Sequence, residues 1–247
     1  MAALGEIEAD VAVHADTFWE RSATYAFRAQ WEPWLVAHGL RVITVGKPSQ
    51  AVEKVTTQRT DIPAFTATPN SRNGGQLRRQ CTQRWKIVPI RRALTAELQR
   101  LGIRKAPGCV ESLQGISLDE FQRMKDSDVR WIVNRYPLVD MRMTRADCMN
   151  WLASRGLPVP PKSACVFCPF QNRNRWKELK REGGEDWEKA IRIDEAIRDV
   201  RPPFSLYVHP SRIALVDAVP IAEDMGMKQL SFIDDDIAGC DSGYCFV

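Results

Sequence analysis

Asp10-Val-Ala-Val-His-Ala15 and Leu40-Arg-Val-Ile-Thr-Val45 are two short apolar runs that decide the fold of this chain. Runs of this length that are rich in valine, isoleucine and alanine are typical of buried strands. Between them, Phe27, Trp31 and Trp34 recur at intervals of three or four residues, which predicts a helix. A strand, a helix and a strand within about 35 residues form a βαβ unit. We therefore expect an α/β protein with a mostly parallel sheet flanked by helices.

Further along the chain, helical patterns alternate with polar connections. Residues 46–77 are polar and rich in turn-forming residues, which predicts a long loop. A helix is expected from about 90 to 101, and another from 144 to 155 with Thr144 as its N-cap. The region 173–200 has a helical apolar stripe that is broken at Gly183-Gly184. We expect residues 1–160 to form the α/β core, and 161–247 to form a helical C-terminal region with a cysteine-bearing tail.

Composition limits the classes of protein to which the chain can belong. The mean hydropathy is −0.33, and no apolar run approaches the roughly 20 residues that a membrane-spanning helix needs. Glu6, Glu8 and Asp10 interrupt any secretory signal pattern. We therefore expect a cytoplasmic protein with no membrane partner. Thiols stay reduced there, so the seven cysteines favour metal binding or reactivity over disulfides.

Cysteines are the strongest functional signal in the sequence. Cys81 precedes a basic and aromatic stretch, Cys165 and Cys168 form a C-x-x-C step, and Cys240 and Cys245 lie in the tail. A C-x-x-C step brings two sulfurs onto one metal centre, and the distant cysteines could bind the same centre. Zinc and an iron–sulfur cluster both remain open at this point.

The segment 78–105 is strongly basic. It carries nine lysines and arginines against one acid, Glu97. Such a segment favours phosphate or sulfate groups, or a nucleic-acid backbone, although a solvated basic helix face is an equal alternative for its outer residues. Arg78 and Arg79, just before Cys81, are candidates for gripping a phosphate through two hydrogen bonds.

Two further groups of residues are candidates for substrate binding. Asp16 and Thr17 follow the first strand, where open α/β sheets bind ligands, but they could equally form a turn. Asp119, Glu120 and Arg123 form the second group. An acidic pair at the start of a helix is also typical of ordinary capping of the helix dipole.

Several segments together resemble the phosphoadenylyl-sulfate (PAPS) and adenylyl-sulfate reductase family of the adenine nucleotide α-hydrolase superfamily. Arg79-Gln-Cys-Thr-Gln-Arg-Trp-Lys-Ile-Val-Pro-Ile90 resembles its cysteine-containing segment. Gly115-Ile-Ser-Leu-Asp-Glu-Phe-Gln-Arg123 is similar to its substrate-side segment, and Ser163-Ala-Cys-Val-Phe-Cys-Pro169 to its C-terminal cysteine region. The likeness covers most of residues 10–210, and the segments occur in the family's order.

This resemblance implies a fold, a cofactor and a chemistry. It implies an adenine nucleotide α-hydrolase-like fold and a [4Fe-4S] cluster on Cys81, Cys165 and Cys168. It also implies reduction or transfer of activated sulfur from a sulfonucleotide or a related ATP-dependent substrate. The sulfur acceptor would be a small molecule or a nucleic acid, with a separate reductant protein. Lys86 would place a positive charge beside the cluster and the anionic substrate.

The roles of the tail cysteines are open under this resemblance. Cys245 is the preferred fourth ligand of the cluster, and Cys240 is a candidate nucleophile toward activated sulfur. Two alternatives remain. Either Cys240 is the fourth ligand and Cys245 the nucleophile, or the cluster is held by three cysteines and one iron has no cysteine ligand. In cluster-binding adenylyl-sulfate reductases the first cysteine is followed directly by a second, whereas Thr82 stands at that position here.

The family's phosphate-cradling Ser-Gly-Gly-x-Asp-Ser loop does not occur in residues 1–9, ahead of the first predicted strand. Without that loop, the backbone N–H groups that cradle nucleotide phosphates would be missing. This departure motivates an alternative function. The protein would then be a degenerate family member, a metal-stapled binding or regulatory module without nucleotide turnover.

Overall fold

A computed structural model of the chain describes residues 1–46, 60–69 and 74–219. Its strands are short, and they are β1 Val11–Ala15, β2 Arg41–Val45, β3 Phe65–Ala67, β4 Val110–Leu113, β5 Ile132–Arg135 and β6 Ser205–Tyr207. Its α-helices are α1 Ser22–Ala37, α2 Val88–Arg100, α3 Pro137–Asp140, α4 Arg145–Ser154, α5 Arg173–Glu182, α6 Gly184–Ile197 and α7 Leu215–Ala218. In the part of the chain that the structure describes, two 3₁₀ helices, Ala2–Leu4 and Leu118–Arg123, and a π-helix, Thr82–Ile87, complete the elements.

The β1–α1–β2 unit forms as the sequence predicts. Val11 pairs with Arg41 and Ala15 with Val45 in a parallel register. Helix α1 runs from Ser22 through Pro33 and packs against β2, while α2 packs against both strands. The α/β class is therefore confirmed.

Within the described ranges, the strands form three separate pairs instead of one mostly parallel sheet. The pairs β1–β2 and β4–β5 are parallel, whereas β3–β6 is antiparallel. Strand β3 lies inside the segment 46–77, which the sequence predicted to be a loop. The prediction is wrong at Phe65–Ala67, because a strand of three residues has no periodicity to detect and its partner is distant in sequence. Residues 47–59 and 70–73 of that segment lie outside the described part.

The C-terminal helices follow their sequence signals closely. The Thr144 hydroxyl accepts a hydrogen bond from Asp147 N–H, and the Asp147 carboxylate accepts one from Thr144 N–H, so α4 begins with a complete capping box. Helices α5 and α6 are separated at Gly183, whose φ of 66° suits a residue without a side chain. No helix among the described residues is long and apolar enough to cross a bilayer.

The largest buried cluster joins distant parts of the chain. It packs Trp19 after β1, Ile62 before β3 and Trp85 of the π-helix against Val166 and Phe167 of the C-x-x-C loop. The remaining members are Ala64, just before β3, and residues of the C-terminal helices and the segment around β6: Trp176, Leu179, Ala190, Ile193, Ile197, Leu206, Val208, Leu215 and Val219. Cys81 and Cys165 pack against this cluster, so the thiols lie at the edge of the core.

Candidate metal and anion site

Three of the predicted site cysteines line one cavity of about 110 Å³. Cys81 comes from the start of the π-helix, and Cys165 and Cys168 come from the loop before α5. All three are free thiols. The structure therefore brings together side chains that the sequence separates by more than 80 residues.

The C-x-x-C loop is held by its two central residues. Val166 and Phe167 are 0% and 1% exposed, and the Phe167 ring packs edge-on against Trp19 at 5.1 Å between centroids. Val166 N–H donates to the Trp19 carbonyl at 2.7 Å, and Cys168 N–H donates to the Cys165 carbonyl at 3.0 Å. Because the central residues point into the core, the two sulfurs are left at the cavity wall.

The π-helix also contributes several side chains to the cavity wall. Cys81 precedes it, and Thr82, Trp85 and Lys86 also line the cavity. Val88 N–H donates to the Gln83 carbonyl, the five-residue spacing that defines a π-helix. Such turns are rare and occur frequently at functional sites.

Thr17 and Asp16 have different positions although they are neighbours. Thr17 is buried and lines the cavity, with its Oγ1 atom 3.5 Å from Cys165 Sγ. Asp16 does not line the cavity. Its carboxylate accepts hydrogen bonds from the Tyr25 hydroxyl at 2.9 Å and from the Phe18 N–H at 2.7 Å, and it pairs with Arg28. Asp16 therefore joins the end of β1 to α1, while Thr17 faces the thiols.

Burial raises the pKa values of the three cavity thiols. Burial raises the pKa of Cys81, raises the pKa of Cys165 well above its ordinary value, and raises the pKa of Cys168 to about 11. The positive charge of Lys86 acts in the opposite direction on the pKa of all three thiols. The metal-free thiols are therefore protonated at neutral pH. Lys86 favours the ionised form of all three thiols, and Arg79 favours that of Cys81 and Cys168.

The cavity wall is rich in positive charge. Its lining contains one acid, Glu120, and six basic residues: Arg79, Lys86, Arg123, Arg145, Lys162 and Arg175. Glu120 forms an ion pair with Arg123. The number of basic side chains in this lining favours an anionic ligand beside the thiols.

Some of the other candidate residues from the sequence line the cavity, and others lie outside it. Arg79, Lys86, Glu120 and Arg123 line the cavity. Arg78 is exposed outside it, and the exposed Asp119 caps α4 through a 2.9 Å hydrogen bond from Arg145 N–H. Cys240 and Cys245 lie outside the described part of the chain.

The residues of the wall that sequence reasoning missed include Arg145, Lys162, Phe170 and Arg175. Arg145 and Arg175 lie in the first turns of α4 and α5, where a basic residue opposes the helix dipole and gives no local stability. That unfavourable placement is the one sequence signal that could have found them. Phe170 packs against the Arg79 guanidinium at 5.4 Å, an arrangement that no spacing rule predicts.

Much of the basic segment 78–105 is paired with acids. Arg84 binds Asp61, Arg91 binds Asp128, and Arg100 binds Glu97. Lys105 lies over the Trp131 ring at 4.3 Å. Nucleic-acid binding by this segment stays a prediction, and these pairs reduce the positive charge available for it.

The side chains that the cavity offers to a metal are thiols, which are the usual ligands of iron–sulfur clusters. Across residues 1–46, 60–69 and 74–219, no three Cys, His, Asp or Glu side chains are placed so that they could hold one metal ion. A cluster of several irons and sulfides occupies more space than one ion, so its ligands stand further apart. Three buried thiols around one cavity, with cations beside them, fit such a group.

Comparison with protein-family models, with curated proteins and with solved structures gives no match for this chain, so the likeness to the reductase family rests on the motifs and their order.

Proposed function

We propose that the protein binds a [4Fe-4S] cluster and works in the reduction or transfer of activated sulfur, as its resemblance to PAPS reductases implies. The observation that carries this proposal is the convergence of Cys81, Cys165 and Cys168 on one cavity with a basic wall. The parallel β1–α1–β2 unit, with Asp16 and then Thr17 following β1, is consistent with the adenine nucleotide α-hydrolase-like fold that we propose.

Cys81, Cys165 and Cys168 would hold the cluster, with Cys245 as the proposed fourth ligand. When bound, such a cluster supplies electron transfer and a Lewis-acidic iron. Lys86 lowers the cost of ionising the three thiols, because it acts on the pKa of each of them. Its ammonium group would also hold an anionic substrate group next to the sulfurs.

The ligand that best suits the cavity is an adenine sulfonucleotide. Arg145, Lys162 and Arg175 provide charge for phosphate or sulfate groups, and Phe170, which is 38% exposed, provides apolar surface for a base. Cys240 is the proposed nucleophile. Its sulfur would form a bond to the sulfonyl sulfur while the bond from that sulfur to the phosphate oxygen breaks, and the nucleotide would leave with the electron pair.

The decisive experiment is anaerobic purification followed by iron, sulfide and zinc analysis. We expect about four irons per chain in the wild type. Cys81→Ser, Cys165→Ser and Cys168→Ser should each lose most of the iron. Cys109→Ser and Cys148→Ser are matched controls, since both cysteines lie away from the cavity lining and should keep it. A colourless, zinc-loaded wild type would overturn the cluster proposal.

A metal-stapled module without turnover is the second candidate function. The observation that favours it is the packing of Cys81 and Cys165 against the main core, because a metal there would join distant segments of the chain. Titration with ATP and adenylyl sulfate separates the two candidates. Binding of either nucleotide in the micromolar range supports the enzyme, whereas an intact cluster with no nucleotide binding supports the module.

A further inference from the structure

A buried carboxylate outside every recognised motif holds the segment that carries Cys81. Asp61 lies in the connection before β3 and is 4% exposed. Its carbonyl accepts hydrogen bonds from Gln80 N–H and Cys81 N–H, both at 2.9 Å. Its carboxylate accepts one from Arg84 Nη1 at 2.6 Å and one from Trp85 Nε1 at 2.9 Å. Asp61 therefore binds both the start of the π-helix and the next turn.

The π-helix determines which side chains reach the cavity. In an α-helix, a residue five positions on lies about 140° around the axis from the first, so Lys86 would point away from Cys81. In a π-helix, the five-residue hydrogen bond brings that residue back near the first one. Cys81 and Lys86 have this spacing, and both line the cavity.

The Asp61 carboxylate favours the π-helix over an α-helix because it binds the side chains of Arg84 and Trp85, which follow Cys81. Trp85 is 3% exposed, and its indole N–H donates a hydrogen bond to Asp61, so the ring is fixed in the core at one orientation. The salt bridge to Arg84 keeps the neighbouring guanidinium on the same carboxylate. Loss of these bonds would leave the indole N–H buried without an acceptor, and the turn would rearrange to avoid this.

We propose that Asp61 is a positioning residue, which fixes the π-helix so that Cys81 and Lys86 face the same cavity. Its effect on a bound cluster rests on the function proposed above, but its effect on the Cys81 thiol does not. Residues that orient the ligands of a metal site typically change its affinity by about 10- to 100-fold when they are replaced.

The test compares Asp61→Ala and Asp61→Asn with wild type and with Asp128→Ala. Asp128 is a matched control because it also pairs with an arginine near this segment, Arg91, but its side chain is 63% exposed. The first measurement is the rate at which iodoacetamide labels each cysteine of the reduced, metal-free protein, resolved by peptide mass. The second is the rate of iron loss to a chelator under anaerobic conditions.

We expect Asp61→Ala to change the labelling rate of Cys81 by about tenfold and to speed iron loss by about 10- to 100-fold. The rates for Cys109 and Cys148 should stay at their wild-type values. Asp61→Asn keeps an oxygen that can accept the indole N–H but loses the charge that pairs with Arg84, so both of its rates should lie between those of Asp61→Ala and the wild type. Asp128→Ala should match the wild type in both measurements.

Equal labelling of Cys81 in Asp61→Ala and wild type would overturn the proposal, and so would a uniform increase at all cysteines. Trp85→Phe covers the case in which Asp61→Ala does not fold. It removes the indole N–H but keeps an aromatic ring, so it should shift Cys81 labelling in the same direction by a smaller factor. If the wild type binds no iron, the cluster proposal fails, and the labelling rates still decide the role of Asp61.

Discussion

The Oγ1 atom of Thr17 lies 3.5 Å from the Sγ atom of Cys165, although the two residues are 148 positions apart in sequence. This contact joins the end of the first parallel strand to the C-x-x-C loop. It also places a hydroxyl group beside one of the three cavity thiols. Several measurable consequences follow from this arrangement and from its surroundings.

Thr17→Val should make the Cys165 thiol harder to ionise. The hydrogen bond from Thr17 lowers the pKa of Cys165, against the larger raising effect of burial, and valine keeps the shape without the hydroxyl. We expect the pH midpoint of Cys165 alkylation to move upward in the metal-free protein. Thr82→Val removes a hydroxyl from another part of the same wall and serves as the control. An unchanged or lower midpoint in Thr17→Val would contradict the assignment.

The metal-free protein should lose stability at alkaline pH because of its buried thiols. Burial raises the pKa of Cys168 to about 11 from the ordinary value of 9.0, so the folded state holds this proton more tightly than the unfolded state does. The stabilisation is complete below pH 9 and is lost as the pH rises toward 11, with a size of roughly 2–3 kcal/mol.

This loss can be measured by urea unfolding of the reduced protein at several pH values between 8 and 11. The fall in the free energy of unfolding should be smaller in Cys168→Ser, because serine does not titrate in this range. Cys109→Ser should follow the wild-type curve. Parallel curves for all three proteins would show that Cys168 does not titrate as its burial requires.

Asp194→Ala should destabilise the C-terminal region strongly. The Asp194 side chain is 1% exposed and accepts hydrogen bonds from Val208 N–H at 2.9 Å and from Leu215 N–H at 3.0 Å, besides pairing with Arg198. Its removal leaves two buried donors and an arginine without their acceptor, at a cost of about 3–5 kcal/mol. Glu195→Ala, at the adjacent exposed position, should change the free energy of unfolding by less than about 0.5 kcal/mol. Chemical denaturation of both variants provides the check.

Arg175→Gln should weaken the binding of anionic nucleotides. Arg175 lines the cavity beside the thiols, and a charged hydrogen bond to a phosphate or sulfate corresponds to about a tenfold change in the dissociation constant or more. Calorimetric titration with adenylyl sulfate at low salt measures this change. Arg192→Gln removes an exposed charge from the neighbouring helix α6 and should leave the affinity within about twofold. Equal losses in both variants would indicate a general charge effect instead of a built site.

The sequence is informative wherever a signal is local. The apolar runs that mark β1 and β2, the Thr144–Asp147 capping box and the break at Gly183 are each contained within a few residues, and each appears in the structure. Strand β3 has no such signal, because its pairing with β6 depends on residues that are far away in the chain. Local patterns therefore predict the class of the fold but not the way in which its strands are grouped.

In the candidate site too, local motifs could be predicted from the sequence, whereas contacts between distant residues could not. The cysteine motifs direct attention to Cys81, Cys165 and Cys168, which the structure places around one cavity. Asp61 could not be found in this way, because its role depends on contacts with residues 80, 81, 84 and 85 that exist only after folding. Arg145 and Arg175 also reach the cavity only through the packing of their helices.

Val166 and Phe167 belong to the main core as fully as any residue of the C-terminal helices. A peptide copied from residues 163–171, or the same loop grafted onto another scaffold, would therefore expose both side chains to water and would not keep the two sulfurs in place. The positions of the Cys165 and Cys168 thiols depend on the packing of the folded core. They can therefore be studied only in a protein that contains this core.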